Sequence, residues 1–279
     1  MFLHLRLLLR TIRQRNSNVL INFKLEVIIM TMKDNFSKQA SEYSKFRPTY
    51  PTEMVDFILS FVANKQSALD IATGNGQLAK ELSHHFNIVY ATDISEKQLD
   101  NAEKADNIIY KKEQAEQTSF EDSIFDLVTV AQAVHWFDFD KFHNEMYRIM
   151  KPEGLIALIG YGLFATNEET DKIINYLYKD IIGPYWDPER KYIDDNYTTL
   201  PFPYKEIPAK HFKSELTWSF EQLAGYLETW SAVQHYKDKK GENPLDIVRK
   251  DLRSSWEKSD QKITFPFLLR LGKLNKQHS

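Results

Sequence analysis

The chain has 279 residues, of which 42% are hydrophobic, enough for one large or two small globular domains with a sizeable core. Its net charge of −3, from 36 basic and 39 acidic residues, gives no electrostatic footprint for nucleic acid or an anionic membrane surface. The absence of cysteine excludes disulfides, a cysteine nucleophile and zinc bound by thiolates, and it fits a reducing, cytoplasmic location.

The first 32 residues differ in composition from the rest of the chain. They are rich in arginine and poor in acid, and their apolar runs are too short to span a bilayer. We interpret residues 1–32 as an extension outside the fold, with synthesis starting at Met30 or Met32; a transit peptide is the alternative. The folded domain is expected over residues 33–279.

The next segment places an arginine among aromatic residues. Tyr43 lies on a predicted helical face, and Pro48 ends that helix because the residue before a proline is pushed out of the α region. Thr52 is predicted to cap the following helix. Arg47 either packs this arm or binds a carboxylate, and both interpretations stay open.

A strand, a glycine turn and a helix are predicted over residues 68–82. A short apolar run contains Asp70, glycines stand at positions 74 and 76, and an amphipathic pattern follows at once. Gly74 and Gly76 permit a positive φ and close approach of a ligand to the backbone, beside the unpaired N–H groups of a helix N-terminus. A nucleotide-like ligand is therefore expected. Ala72 and Ala79 stand where a complete dinucleotide-binding motif has glycine.

Asp93 strengthens this interpretation. It ends a second short apolar run, about twenty residues after the glycines, where an acid reaches the ribose hydroxyls of a bound nucleoside.

Three further apolar runs alternate with predicted helices, over residues 108–111, 125–130 and 155–160. This alternation predicts a parallel sheet covered on both faces. Gly74, Asp93, Ala115-Glu116 and His135-Trp136 all fall just past the carboxyl end of a strand. Ligands of such sheets bind at that edge, so these residues predict one common site.

The chain after the fifth strand carries an insertion over residues 163–210. It is rich in Tyr, Trp and Pro, and includes a predicted helix over 170–182. We expect this insertion to form a lid over the substrate; the alternative is a structural cap without a role in binding. A strand near 211–219, a helix capped by Ser219, a helix around 244–256 and a last strand over 263–272 complete the predicted elements.

Several of these segments together resemble a known family. They are the arm around Arg47, the turn from Asp70 to Gly76, Asp93, the segment 131–138 and the segment 229–234. From Phe36 to Gly272 the chain resembles the class I S-adenosylmethionine-dependent methyltransferases, and within them the trans-aconitate methyltransferase-like branch. The resemblance implies an α/β fold: a Rossmann-like, seven-stranded, mostly parallel sheet with helices on both faces, an antiparallel last strand and a helical lid insertion.

The resemblance also implies S-adenosyl-L-methionine as the cofactor. Asp70, Gly74 and Gly76 would then line its methionine end, Asp93 would hold the ribose, and Ala115 and Glu116 would flank the adenine. The full set of cofactor-binding candidates is Asp70, Ala72, Gly74, Gly76, Asp93, Ile94, Gln114, Ala115, Glu116 and Gln132.

Two of these candidates depart from the family pattern. Ala72 replaces the first glycine of the turn, which is a mild change if its φ stays negative. Gln114 stands where many relatives carry an acid, and its side chain still accepts a hydrogen bond.

His135 is the candidate catalytic residue on the acceptor side. It would act as a general base if the acceptor is protonated, whereas a carboxylate acceptor needs no base. The alternative is a ring that packs and orients its loop. Candidates for substrate binding are Tyr43, Arg47, Trp136, Trp230 and Gln234. No metal site is predicted, since His84-His85 has no partner at a ligand spacing.

The resulting functional prediction is transfer of a methyl group to a small-molecule acceptor, with a carboxylate among the candidates. No nucleic-acid or membrane partner is expected, and the oligomeric state stays open. The alternatives are a non-catalytic S-adenosylmethionine-binding or regulatory protein, and a nicotinamide-dependent oxidoreductase, which the incomplete glycine motif disfavours.

Overall fold

The computed structural model describes residues 47–274, and these residues form one mixed sheet with helices around it. Its strands are β1 Ser67–Ile71, β2 Ile88–Asp93, β3 Ile108–Lys112, β4 Phe125–Ala131, β5 Met150–Tyr161, β6 Lys205–Ile207, β7 Phe212–Thr217 and β8 Lys262–Lys273.

Nine α-helices lie in this part of the chain. They are α1 Thr52–Leu59, α2 Gln77–Ser83, α3 Glu96–Asp100, α4 Phe139–Ile149, α5 Glu168–Asn175, α6 Arg190–Asp194, α7 Phe220–Glu228, α8 Ser231–Lys240 and α9 Leu245–Glu257. The predicted strand, turn and helix around the glycines are thereby confirmed.

The strand order is β3-β2-β1-β4-β5-β8-β6, and β7 also pairs with β8. The first five strands pair in parallel, whereas β8 runs antiparallel to β5. Both β6 and β7 run antiparallel to β8 and hence in the direction of β5. The Rossmann-like α/β fold with an antiparallel last strand is confirmed.

The sheet has eight described strands rather than seven, because two separate strands, β6 and β7, pair with the outer edge of β8. The short strand β6 pairs with residues 271–273 of β8, and β7 pairs with residues 262–267. The sequence pattern predicts only β7, since the three residues of β6 are too few to show an alternating pattern.

The central strands are buried on both faces. Every residue of β1 is buried, and successive side chains of the strand face opposite cores. Ala68 packs with α1 and α2, whereas Leu69 packs with α4. This burial explains the nearly continuous apolar runs in the sequence, because helices cover both faces of a parallel sheet.

Of the two predicted helix caps, Ser219 is confirmed and Thr52 is wrong. The Ser95 hydroxyl accepts from the N–H of the third residue of α3, and Ser219 forms a capping box at α7. Thr52 is the first residue of α1 and does not cap it. Pro51, with φ −60° and ψ 129°, occupies the N-cap position because its extended backbone places the helix boundary there.

The predicted helix over 170–182 is divided as well. The α-helix α5 ends at Asn175, and a π-helical stretch, Tyr176–Ile181, continues it. No helix among residues 47–274 is both long and apolar enough to cross a membrane. The predictions for residues 1–32 and for Tyr43 lie outside the described residues.

Candidate active site at the carboxyl edge of the sheet

The carboxyl ends of β1, β2 and β4 meet at one edge of the sheet. In the register of the strands, Asp70 of β1 lies beside Ala91 of β2 on one side and Thr129 of β4 on the other. The chain leaves β1 towards β2 and returns on the far side through β4, so the predicted site lies at the point where the strand order reverses.

The glycine turn exposes its backbone at one residue and packs tightly at another. Gly74 has φ +57°, and a Cβ added there would meet nothing within 4 Å. Gly76 has φ +77°, and a Cβ there would collide with the hydroxyl of Tyr110. Gly74 thus leaves space for a ligand, whereas Gly76 is required for packing under Tyr110.

Alanine at position 72 was expected to be a mild replacement for glycine only if its φ were negative, and the structure contradicts that condition. Its φ is +52°, in the left-handed region where an L side chain costs about 1–2 kcal/mol. Gln132, at the end of the neighbouring strand β4, has φ +56°. Two non-glycine residues with positive φ at adjacent strand ends mark a backbone whose conformation the surrounding structure imposes.

Backbone N–H groups orient the Asp93 carboxylate. Its Oδ2 accepts from the N–H of Gly74 at 2.9 Å and its Oδ1 from the N–H of Ser95 at 2.8 Å. Asp93 therefore links the glycine turn to the start of α3. A carboxylate oxygen can accept up to two hydrogen bonds.

Asp70 is a buried acid beneath the same turn. Its carboxylate accepts from Thr73 Oγ1 at 2.5 Å and from Thr129 Oγ1 at 2.7 Å. Burial raises the pKa of Asp70 from 3.8 to about 6; these two hydrogen bonds oppose the rise, and the charge of Asp93 adds to it. A cation bound nearby would stabilise the ionised form.

The segment after β3 forms a tight turn, in which Gln114 pairs with Gln117 and Ala115 is buried. Glu116 Oε1 accepts from the N–H of Asp138 at 3.1 Å, which connects this turn to the start of α4. Ile94, which follows Asp93, is 41% exposed.

A connected series of aromatic rings borders the other side of this edge. We call it the aromatic wall: Tyr161, Phe265, Tyr226, Trp230, Trp186 and Tyr178, in which successive rings have centroids 4.9–6.1 Å apart. Arg47 donates a hydrogen bond to the Tyr161 hydroxyl, and its guanidinium carbon lies 5.6 Å from that ring. Trp230 is only 7% exposed and contacts Tyr178 and Phe164 as well.

Gln132 connects the two halves of the site. Its N–H donates to the carbonyl of Ile159 at 2.8 Å and its Nε2 donates to the carbonyl of Tyr161 at 3.1 Å. The strand that follows β4 in the sheet thus fixes the loop that carries His135.

His135 lies in this loop, and its side chain is buried. Its Nδ1 lies 3.3 Å from the Tyr197 hydroxyl, and its ring packs on Trp136 with centroids 5.1 Å apart. Burial lowers the pKa of His135 to about 3, with smaller contributions from the positive charges of Arg190 and Arg47. The imidazole is neutral at physiological pH and a weak base, which favours the interpretation that it packs and orients the loop.

Comparison with known proteins agrees with this geometry. Residues 69–158 match the family model described as a methyltransferase domain. A Dictyostelium discoideum protein described as a methyltransferase is 31% identical over 249 residues, which are 86% of this chain and 95% of the relative. A solved structure described as a type II methyltransferase from Anaeromyxobacter dehalogenans is 33% identical, with a TM-score of 0.75, and the match covers 82% of this chain and 98% of that one.

The chain belongs to the class I S-adenosylmethionine-dependent methyltransferases. A Saccharomyces cerevisiae protein described as an S-adenosylmethionine-dependent methyltransferase is also similar, at 26% identity over 61% of this chain and 60% of the relative. This methyltransferase is therefore an enzyme with S-adenosylmethionine as its cofactor, and the nicotinamide alternative is not supported.

The residues at the sheet edge fit this cofactor. The open face of Gly74 admits a ligand against the main chain, the oriented carboxylate of Asp93 suits the two ribose hydroxyls, and the exposed side chain of Ile94 offers apolar surface to a base. Asp70 supplies a negative charge that a methionine ammonium would stabilise. No group of acidic and histidine residues suited to a metal ion occurs between residues 47 and 274.

The structure brings most of the predicted substrate residues to one side and leaves one apart. Arg47 contacts Tyr161 at one end of the aromatic wall, Trp230 is a member of the wall, and Trp136 packs on His135. Gln234 instead donates to the carbonyl of Glu228 at 2.6 Å, within the connection between α7 and α8.

No sequence motif points to Tyr161, Tyr197 or Arg190 at this site. The richness of the insertion in Tyr and Trp was the only signal in the sequence, and it gives no pairing between residues of the insertion and residues of β5.

Proposed function

We propose that this methyltransferase acts on a small-molecule acceptor that presents a carboxylate, as the resemblance to the trans-aconitate methyltransferase-like branch implies. The observation that carries the proposal is the combination of Arg47 at the aromatic wall with a neutral, buried His135. A guanidinium can pair with a carboxylate, and the neutral His135 is a weak base.

The tyrosines of the acceptor side support the same conclusion. Burial raises the pKa values of Tyr161, Tyr197 and Tyr226 above their ordinary value of 10, so these hydroxyls stay protonated and act as hydrogen-bond donors. An acceptor that must lose a proton is poorly served here. A carboxylate is already ionised at neutral pH.

The protein then contributes by binding the cofactor and the acceptor and by excluding water from the space between them. S-adenosylmethionine, when bound, supplies a methyl carbon that a carboxylate oxygen attacks directly, with the C–S electron pair leaving on sulfur and no proton released. Asp93 and the glycine turn hold the cofactor end, Arg47 holds the acceptor, and the aromatic wall excludes water from the space between them. Holding the two reactants in place contributes several kcal/mol to lowering the barrier.

A radiolabelled methyl donor tests this proposal. The purified chain is incubated with the donor and a panel of carboxylic acids, alcohols and amines. We expect label only in the carboxylic acids, as methyl esters that mild alkali releases, with a rate that changes less than threefold between pH 6 and 9. Label that resists alkali, or a rate that rises tenfold per pH unit, would contradict a carboxylate acceptor.

A further inference from the structure

The segment 113–124 connects β3 to β4 and carries the turn that is expected to flank the adenine. It contains no helix or strand, only the pairing of Gln114 with Gln117. Its position therefore depends on attachments to neighbouring elements. At its start, the N–H of Glu113 donates to the carbonyl of Asp93 at 3.2 Å. This bond sets the turn beside the acid that is expected to hold the ribose.

A buried acid on α4 holds the far side of this turn. Glu145 Oε1 accepts from the N–H of Thr118 at 2.8 Å and also from the Thr118 hydroxyl, directly after the pair of glutamines. Burial acts to raise the pKa of Glu145, but hydrogen bonds from Arg148 and Thr118 outweigh it and hold that pKa below its ordinary value. Glu145 is therefore ionised at neutral pH, and a carboxylate accepts stronger hydrogen bonds than a neutral group does.

Arg148 orients this carboxylate and binds the rest of the segment. Its Nε donates to Glu145 Oε2 at 3.0 Å and its Nη2 donates to Glu145 Oε1 at 2.6 Å. Its Nη1 donates to the carbonyl of Phe120 at 2.6 Å and to Asp122 Oδ1 at 2.9 Å. Paired hydrogen bonds between a guanidinium and a carboxylate fix the orientation of both groups. Two side chains of α4 thus hold an irregular segment that has no regular structure of its own.

We propose that Glu145 is a positioning residue for recognition of the cofactor's base: through Thr118 it holds the turn 114–117 in place against the adenine, and Arg148 orients it. The inference does not depend on the proposed acceptor. It rests on S-adenosylmethionine as the cofactor and on the expected place of its adenine beside this turn. Each backbone unit carries a fixed donor and a fixed acceptor, so a turn held in place discriminates against a base whose donors and acceptors are reversed.

Isothermal titration of the full chain with two ligands tests the proposal. They are S-adenosylhomocysteine and S-inosylhomocysteine, whose hypoxanthine has an acceptor in place of the adenine amine and a donor in place of the neighbouring ring acceptor. We expect the unchanged chain to bind the adenine ligand at least tenfold more tightly. Glu145→Ala should weaken binding of the adenine ligand at least tenfold and of the inosine ligand less than threefold. Equal affinity for both ligands in the unchanged chain, or equal losses for both in the variant, would overturn the inference.

Two milder variants test the same contact if Glu145→Ala does not fold. Thr118→Val keeps the shape of the side chain and the N–H and loses only the hydroxyl donor, so the ratio of the two affinities should fall at least threefold. Glu145→Gln keeps an oxygen for the N–H of Thr118 and should discriminate between the ligands better than Thr118→Val or Glu145→Ala. A ratio in Thr118→Val equal to that of the unchanged chain would overturn the inference.

Lys151→Gln is the matched control for a general loss of stability. Lys151 bonds to Asp126 at 2.9 Å, and the exposed fractions of these side chains, 31% and 6%, are close to the 34% and 9% of Arg148 and Glu145. Asp126 lies near the start of β4, at the opposite end of that strand from the site. The control should lower Tm and leave the ratio of the two affinities unchanged. A ratio that falls as far in Lys151→Gln as in Glu145→Ala would show a purely structural effect and overturn the inference.

Discussion

Replacing Asp70 by asparagine should stabilise the fold and weaken the cofactor site. The pKa of this acid rises from 3.8 to about 6 on folding, mainly through burial. A difference of roughly two pKa units corresponds to about 3 kcal/mol by which the ionised group destabilises the folded state at pH 7. Asparagine fits the same space, and its amide can still bond to both Thr73 and Thr129, so most of that cost is removed.

The effect has a defined dependence on pH. Between pH 3.8 and 6 the folded state binds more protons than the unfolded state, so the contribution of Asp70 becomes less favourable as pH rises through this window. The gain from Asp70→Asn should be smallest at pH 4 and reach its full size above pH 6. For a domain of this size, 1–3 kcal/mol corresponds to an increase in Tm of about 2–10 °C at pH 7.

Thermal unfolding of both proteins from pH 4 to 8 checks this, and titration with S-adenosylmethionine provides the second readout. We expect higher Tm and at least tenfold lower affinity in the variant, because the negative charge that would stabilise the methionine ammonium is lost. A variant that is less stable at pH 7, or a Tm difference that does not change with pH, would refute the reasoning about burial.

Three further predictions concern the backbone of the turn and the buried histidine. Ala72→Gly should raise the free energy of unfolding by about 0.5–1 kcal/mol in denaturant titration, because it removes the cost of a side chain at φ +52°; a loss of stability would show that the methyl packs usefully. Gly74→Ala and Gly76→Ala should both lower Tm, because each places a side chain at positive φ, but Gly76→Ala should lower it more, because only its Cβ also meets Tyr110; calorimetry of both variants compares the two, and equal losses of Tm would contradict the packing described. Gly74→Ala should in addition lower affinity for S-adenosylhomocysteine. His135→Gln should leave kcat/KM within about tenfold and the pH–rate profile unchanged in shape, whereas loss of a limb in that profile would make His135 a general base.

The part of the fold that follows from local pattern was predicted well. The strand that contains Asp70, the glycine turn and the following helix are encoded within fifteen neighbouring residues, and the structure has them at nearly the predicted bounds. The common edge for Asp93, Ala115 and His135 also followed, because parallel strands bring their carboxyl ends together.

The features that depend on distant contacts were not predicted. Ala72 has a positive φ, and the next residue, Thr73, donates its N–H to the carbonyl of Thr92 on the neighbouring strand. The residues around Ala72 give no local signal for this backbone conformation. The proximity of Arg190 to Trp230 depends on how the insertion packs against the connection between α7 and α8. Sequence spacing carries no information about such a contact.

Isothermal titration with S-adenosylhomocysteine, on the chain starting at Met32, tests the central claim most directly. Micromolar binding is predicted for the unchanged protein, with at least a tenfold loss in Asp93→Ala and a smaller loss in Asp93→Asn, which keeps one oxygen for the N–H of Gly74. Circular dichroism confirms that each variant is folded. Binding that is unaffected in both variants, or absent from the folded unchanged protein, would contradict a cofactor held at the ends of β1 and β2.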